Sequence, residues 1–113
     1  MKVKISSLSK NDEFKSLING KKINNKYLTI FFKKLSGKSN KYLNISFVAQ
    51  KKIGNAVKRN KIKRRLRNMM NEALKKIKIN LNYSYLLIAR KSVLEDEYNL
   101  IKIKLFSELK KIR

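Results

Sequence analysis

The chain has 113 residues, 42% of them hydrophobic, and carries 30 Lys and Arg against seven Asp and Glu, a formal net charge of +23. That length suits one domain with one core and excludes a deep enzyme cavity plus a second domain. Cysteine and histidine are absent, which excludes a disulfide framework, a thiolate zinc site and the commonest general base.

Residues 8–19 read as a short helix. Ser9 or Asn11 can cap it, Asp12 and Glu13 suit its first turn, and Gly20 ends it. Phe14, Leu17 and Ile18 share one side. Residues 21–26 read as a polar connection. From Tyr27 to Lys33 the chain alternates as a strand, with Leu28, Ile30 and Phe32 on one face and Tyr27, Thr29 and Phe31 on the other. Residues 34–41 read as a hairpin-like loop. Leu43 to Ala49 alternates again, Leu43, Ile45 and Phe47 against Asn44, Ser46 and Val48. The two strands are expected to pair antiparallel.

Lys51 to Asn55 form a turn, and a helix is predicted from Ala56 to Ile77. Its apolar stripe is Ile62, Leu66, Met69, Met70, Ala73 and Ile77. After a connection at 78–83, Tyr85 to Arg90 is almost continuously apolar and reads as a strand covered on both faces or central in the sheet. Ser92 and Glu95 have capping-box spacing. They open a last helix to about Ile112, with Tyr98, Ile101, Leu105, Leu109 and Ile112 as its core stripe. The order α-β-β-α-β-α predicts an α+β single domain over residues 1–113, a small sheet with its main helices packed on one face.

Seven Lys and Arg lie between Lys58 and Arg67, and no carboxylate lies between Phe14 and Asn71. A helix so charged repels itself unless a core holds it and a polyanion neutralises it. Arg59, Lys63 and Arg67 recur every four residues, with Asn60 and Arg64 in a neighbouring row. Guanidinium groups bind phosphate in a bidentate fork, and Asn can reach a phosphate, a 2′-hydroxyl or a base edge. The helix N-terminus adds unpaired N–H groups and partial positive charge. A solvated helix face would mix both signs, yet Glu72 is the sole acid on this helix. The sheet face bearing Tyr27, Thr29, Phe31, Asn44, Ser46 and Val48 mixes aromatic rings with small polar groups. That composition suits stacked single-stranded bases, or a minor core beneath the first helix.

The ordered run from Lys51 to Arg67, KKIGNAVKRNKIKRRLR, resembles the signature of the bacterial ribonuclease P protein component. Lys51, Lys52, Gly54, Asn55, Ala56 and Val57 match its lead-in, and Arg59 and Asn60 the first two residues of its Arg-Asn-Arg motif. Lys61 replaces the third, keeping the charge but losing the fork. Lys63, Arg64 and Arg67 match further basic positions. Leu8–Phe14 and Tyr85–Lys91 are similar to the family's first helix and third strand.

The resemblance implies a left-handed βαβ crossover, where the general rule gives right-handed. It implies a protein subunit that binds a catalytic RNA through Lys51, Lys52, Asn55, Arg59, Asn60, Lys61, Lys63, Arg64 and Arg67. It further implies that the 5′ leader of precursor tRNA enters a cleft of Phe14, Ile18, Thr29, Phe31, Ser46 and Val48. Ile18 stands where relatives often carry an aromatic residue.

Catalytic residues are not expected on the chain. Glu95-Asp96-Glu97 reads as a helix-start run rather than a metal site. Mg²⁺ would be held mainly by the RNA, with none bound by the protein alone. Partners are the catalytic RNA and precursor tRNA, with no membrane and no obligate protein partner. Without a signal-type segment or a spanning stretch, the chain is expected in the cytoplasm. A ribosomal-type RNA binder and a basic protein coating membrane or DNA are the competing readings.

Overall fold

The apolar run at Tyr83–Ala89 becomes the middle strand of a five-stranded mixed sheet in the computed structural model, which describes residues 4–6, 18–34 and 42–112. The strands are β1 (Lys4–Ser6), β2 (Lys21–Asn24), β3 (Leu28–Lys34), β4 (Tyr42–Ala49) and β5 (Tyr83–Ala89), in the order β1-β4-β5-β3-β2. β5 runs parallel to β4 and antiparallel to β3, while β1 lies parallel to β4 and β2 antiparallel to β3. A 3-10 turn at Lys51–Ile53 leads into α1 (Ala56–Lys76), which crosses from β4 to its parallel neighbour β5. Beyond β5 come the single turn α2 (Ser92–Glu95) and α3 (Tyr98–Lys110).

Alternation decides the two faces of the sheet. Leu28, Ile30, Leu43, Ile45, Phe47, Tyr85, Leu87 and Ala89 point into the main core. They meet Ile62, Leu66, Met69, Met70 and Ala73 of α1 and Ile101, Leu105 and Leu109 of α3. Each fully buried Leu, Ile, Phe or Met among them contributes about 1.5–3 kcal/mol, and together they hold a strongly self-repelling chain folded. On the opposite face Leu86 is buried among Phe31, Val48 and Ile88.

Four expectations change. The strands at 27–33 and 43–49 do not pair, because β5 lies between them. A strand apolar on both faces gains most in the middle of the sheet, where both faces are covered. Residues 21–26 are not a plain connection, since Lys21–Asn24 is the edge strand β2. Only its Ile23 is apolar, so alternation left little trace there. The turn into β3 is built by Asn25, whose Oδ1 accepts from the backbone N–H of Tyr27 (2.8 Å) and Leu28 (3.0 Å). Tyr27 precedes β3, escapes its alternation and packs in the main core.

The capping box is absent as well. The Ser92 hydroxyl donates to the Lys26 carbonyl (2.8 Å), and extended backbone at Asp96 separates α2 from α3. The helix predicted over 8–19 lies outside the described residues except for Ile18 and Asn19, as does the 34–41 loop except for Lys34.

Glu72 ties α1 to α3. The Tyr98 hydroxyl donates to its Oε2 (2.9 Å), and Lys102 Nζ lies 3.5 Å from Oε1. The Tyr98 hydrogen bond leads the causes that hold the Glu72 carboxyl below its usual value near 4.5, with Lys102 and Lys76 assisting. Burial, then Glu72, pushes the Tyr98 phenol up to about 12, against a small opposing effect of Arg65. A lowered carboxyl stabilises the fold above pH 4.5 and loses that contribution as pH falls through its folded value. A raised phenol stabilises below pH 10 and loses its contribution as pH rises towards 12. The thermal midpoint of Tyr98→Phe is therefore expected to fall below that of the parent near neutral pH. The gap should narrow at both extremes, and a gap independent of pH would contradict this tie.

Candidate nucleic-acid interface

The basic helix starts where Asn55 caps it, its Oδ1 accepting from the Lys58 N–H at 3.0 Å. Asn55 thus has a local structural role besides its expected RNA contact. Gly54 before it is nearly fully extended (φ 159°), and a Cβ there would lie 2.9 Å from Lys58 Cδ. The glycine lets the Lys58 stem fold back across the turn.

Lys51, Lys52, Asn60, Lys61, Lys63, Arg64 and Arg67 are exposed, and Arg59 is half-buried. The Nε of Arg59 is buried and has no hydrogen-bond partner among the described residues. Arg67 holds its guanidinium 5.7 Å from the centre of the Phe47 ring, which steers the side chain against the β4 end of the sheet.

Arg65 is different. Its Nη1 and Nη2 donate to the carbonyls of Leu94 (3.3 Å) and Asp96 (3.1 Å), and its guanidinium lies 5.8 Å from the Tyr98 ring centre. One charge of the cluster therefore serves the fold, holding the junction between α2 and α3. Glu72, the helix's sole acid, is engaged by Tyr98 and Lys102. No carboxylate interrupts the N-terminal half of α1.

On the sheet, strand register sets two rows. Val48, Ile88, Thr29 and Asn24 pair in sequence across β4, β5, β3 and β2, and Ser46, Leu86, Phe31 and Lys22 do the same one step along. The expected cleft residues Thr29, Phe31, Ser46 and Val48 therefore share one face, all half-buried. Ile18 is 52% exposed, and Phe14 lies outside the described residues.

Thr29 donates to Asn24 Oδ1 and accepts from Arg90 Nη2 (3.3 Å). Arg90 also donates to Asn24 Oδ1 (3.1 Å) and to the Asn25 carbonyl, locking the β2–β3 turn. A depression of about 550 Å³ opens here, lined by Thr29, Phe31, Gln50, Lys52, Ile53, Ile88, Ala89, Arg90 and Lys91. It brings Lys52 of the helix lead-in together with Thr29 and Phe31 of the sheet face, two groups that are separate in sequence.

This arrangement of a capped basic helix beside a half-apolar sheet face has close parallels. The family described as Ribonuclease P matches residues 3–113. The chain belongs to the ribonuclease P protein family. The ribonuclease P protein component of Mesomycoplasma hyopneumoniae strain 7448 is 39% identical, covering 96% of each chain. That of Mycoplasma capricolum is 37% identical over 91% of this chain and 94% of its own. Among solved structures, the RNase P protein of Thermotoga maritima superposes with a TM-score of 0.79 at 26% identity, covering 96% of this chain and 98% of that one. The Staphylococcus aureus protein gives 0.76 at 25% identity, covering 94% and 93%.

As a ribonuclease P protein the chain is part of an endoribonuclease complex, has an RNA partner and takes part in tRNA 5′ processing. No helix among the described residues is long and apolar enough to cross a membrane. Sequence reading of this ribonuclease P protein missed Lys22 opposite Phe31 and Arg90 beside Thr29. Lys22 is placed by strand pairing and Arg90 by its hydrogen bonds to Asn24, Asn25 and Thr29, although the Asn24-Asn25 pair was a legible turn signal.

Proposed function

We propose that the chain is the protein subunit of the ribonuclease P ribonucleoprotein, gripping the catalytic RNA with α1 and its lead-in and receiving the 5′ leader of precursor tRNA on the sheet face. One observation carries the reading. The depression joining Lys52, Arg90 and Lys91 to Thr29 and Phe31 makes a cationic helix start and a stacking surface continuous. RNA phosphates would lie along Arg59, Asn60, Lys61, Lys63, Arg64 and Arg67, with Lys51, Lys52 and the capping Asn55 at the junction. Leader bases would stack on Phe31 between Thr29, Ser46 and Val48, with Ile18 flanking.

The endonucleolytic step is assigned to the RNA. Glu72 and Asp96 are committed to Tyr98, Lys102 and Lys26, and no three Asp, Glu, His or Cys gather among the described residues. Mg²⁺ held mainly by the RNA would supply Lewis-acid stabilisation there, while this chain would neutralise phosphates and orient the leader. The complex is assigned to the cytoplasm, with precursor tRNA as substrate and no obligate protein partner.

The test is precursor-tRNA cleavage at low Mg²⁺ by a bacterial ribonuclease P RNA, with and without the chain. Correct 5′ cleavage should require both RNA and protein, and Phe31→Ala should reduce the preference for leader-bearing over mature tRNA. Tight RNA binding without stimulation, while a known subunit works in parallel, would favour a ribosomal-type RNA binder.

A further inference from the structure

Strand register carries the stacking face one strand beyond the proposed cleft. Lys22 of β2 stands directly opposite Phe31 of β3. Directly opposed residues of an antiparallel pair project from the same face, their Cβ atoms about 4.5–5.5 Å apart. The row Ser46, Leu86, Phe31, Lys22 crosses four strands, about 14 Å at the usual strand spacing. Several stacked nucleotides at ~3.4 Å each fit that width.

Lys22 is exposed and takes part in none of the ion pairs among the described residues. Its strand is held in place, because Asn24 at the end of β2 receives both Thr29 and Arg90. Lys21, next along the strand, pairs with Phe32 and projects from the other face.

We infer that Lys22 is a phosphate-binding residue for the single-stranded 5′ leader, taking the backbone charge of a nucleotide whose base stacks on Phe31. The inference rests on the proposed leader cleft and adds β2 to it. A lysine on an edge strand also discourages edge-to-edge pairing, but Lys21 serves that purpose equally well. The pleat thus supplies a matched control: two lysines, one strand, one charge each, opposite faces.

The experiment compares Lys22→Ala, Lys21→Ala and Phe31→Ala, each assembled with the catalytic RNA and checked by circular dichroism. Affinity is measured for precursor tRNA and for leaderless tRNA across a salt series. Lys22→Ala should lose about three- to fivefold of the leader preference. Its log–log salt slope for the precursor should be shallower by about 0.7, the contribution of one single-strand phosphate. Lys21→Ala should keep both. Equal losses from the two lysine variants, or none from Lys22→Ala, would overturn the inference. A loss in Phe31→Ala with Lys22→Ala unchanged would leave the cleft standing and remove Lys22 from it. Leader preference intact in a folded Phe31→Ala would overturn the cleft and the inference together.

Discussion

Replacing Arg59 and Arg64 together with Ala is expected to weaken assembly with the catalytic RNA by about 100-fold or more, since each charge-assisted phosphate contact contributes about 1.5–3 kcal/mol. The salt dependence should flatten at the same time, by about 0.9 in log–log slope for each duplex phosphate released. Both side chains lie on the N-terminal half of α1, where no carboxylate intervenes. Arg59 is half-buried and Arg64 is exposed. Stability of the free protein should hold or rise slightly, because two charges leave a chain of net charge +23 and Ala is a strong helix former. The checks are affinity by filter binding or fluorescence across a salt series and thermal melting of the free chain. Unchanged affinity and slope would remove this face from the RNA interface.

Arg65→Ala should do the opposite. Its guanidinium spans the carbonyls of Leu94 and Asp96 and lies over Tyr98. Truncation leaves two carbonyls without their charged donor and removes one of the ties between α1 and the α2–α3 junction. The expected loss is about 2–4 kcal/mol of folding stability, or about 8–15 °C in thermal midpoint for a domain this size. Arg65→Lys should recover little, because an ammonium cannot bridge two acceptors as a planar fork does. At saturating RNA, where bound partner restores the folded state by mass action, the variant should keep the parent's salt slope. A parent-like melting curve for Arg65→Ala would show that the fork is dispensable. Two arginines one position apart, Arg64 and Arg65, are thus expected to separate into a binding charge and a folding charge.

Much of this was legible in the residues. The helical stripe from Ile62 to Ala73 and the alternation of Leu43, Ile45 and Phe47 mapped directly onto the buried face. The continuous apolar run identified β5 as the middle strand. These signals are local, because side-chain direction repeats every 3.6 or 2 residues whatever the partner. The ordered basic run and its glycine turn likewise pointed to the family before any geometry was known.

What failed was non-local. The insertion of β5 between β3 and β4 and the existence of β2 depend on which distant segments meet. Ser92 and Glu95 have the spacing of a capping box, yet Ser92 bonds Lys26, 66 positions away in sequence, and α2 stops after one turn. A local motif yields when a tertiary partner offers a better hydrogen bond.

The sequence by itself determined the polyanion partner, the cationic helix, the identity of the core positions and the family, because charge, periodicity and residue order are properties of the chain alone. Only the tertiary structure decided that Lys52 meets Phe31 in one depression, that Arg90 locks the turn beside Thr29, that Lys22 rather than Lys21 shares the face of Phe31, and that Arg65 is committed to the carbonyls of Leu94 and Asp96. Side chains of one chemical type differ there through the acceptors, rings and strand registers that folding places within a few ångströms of each.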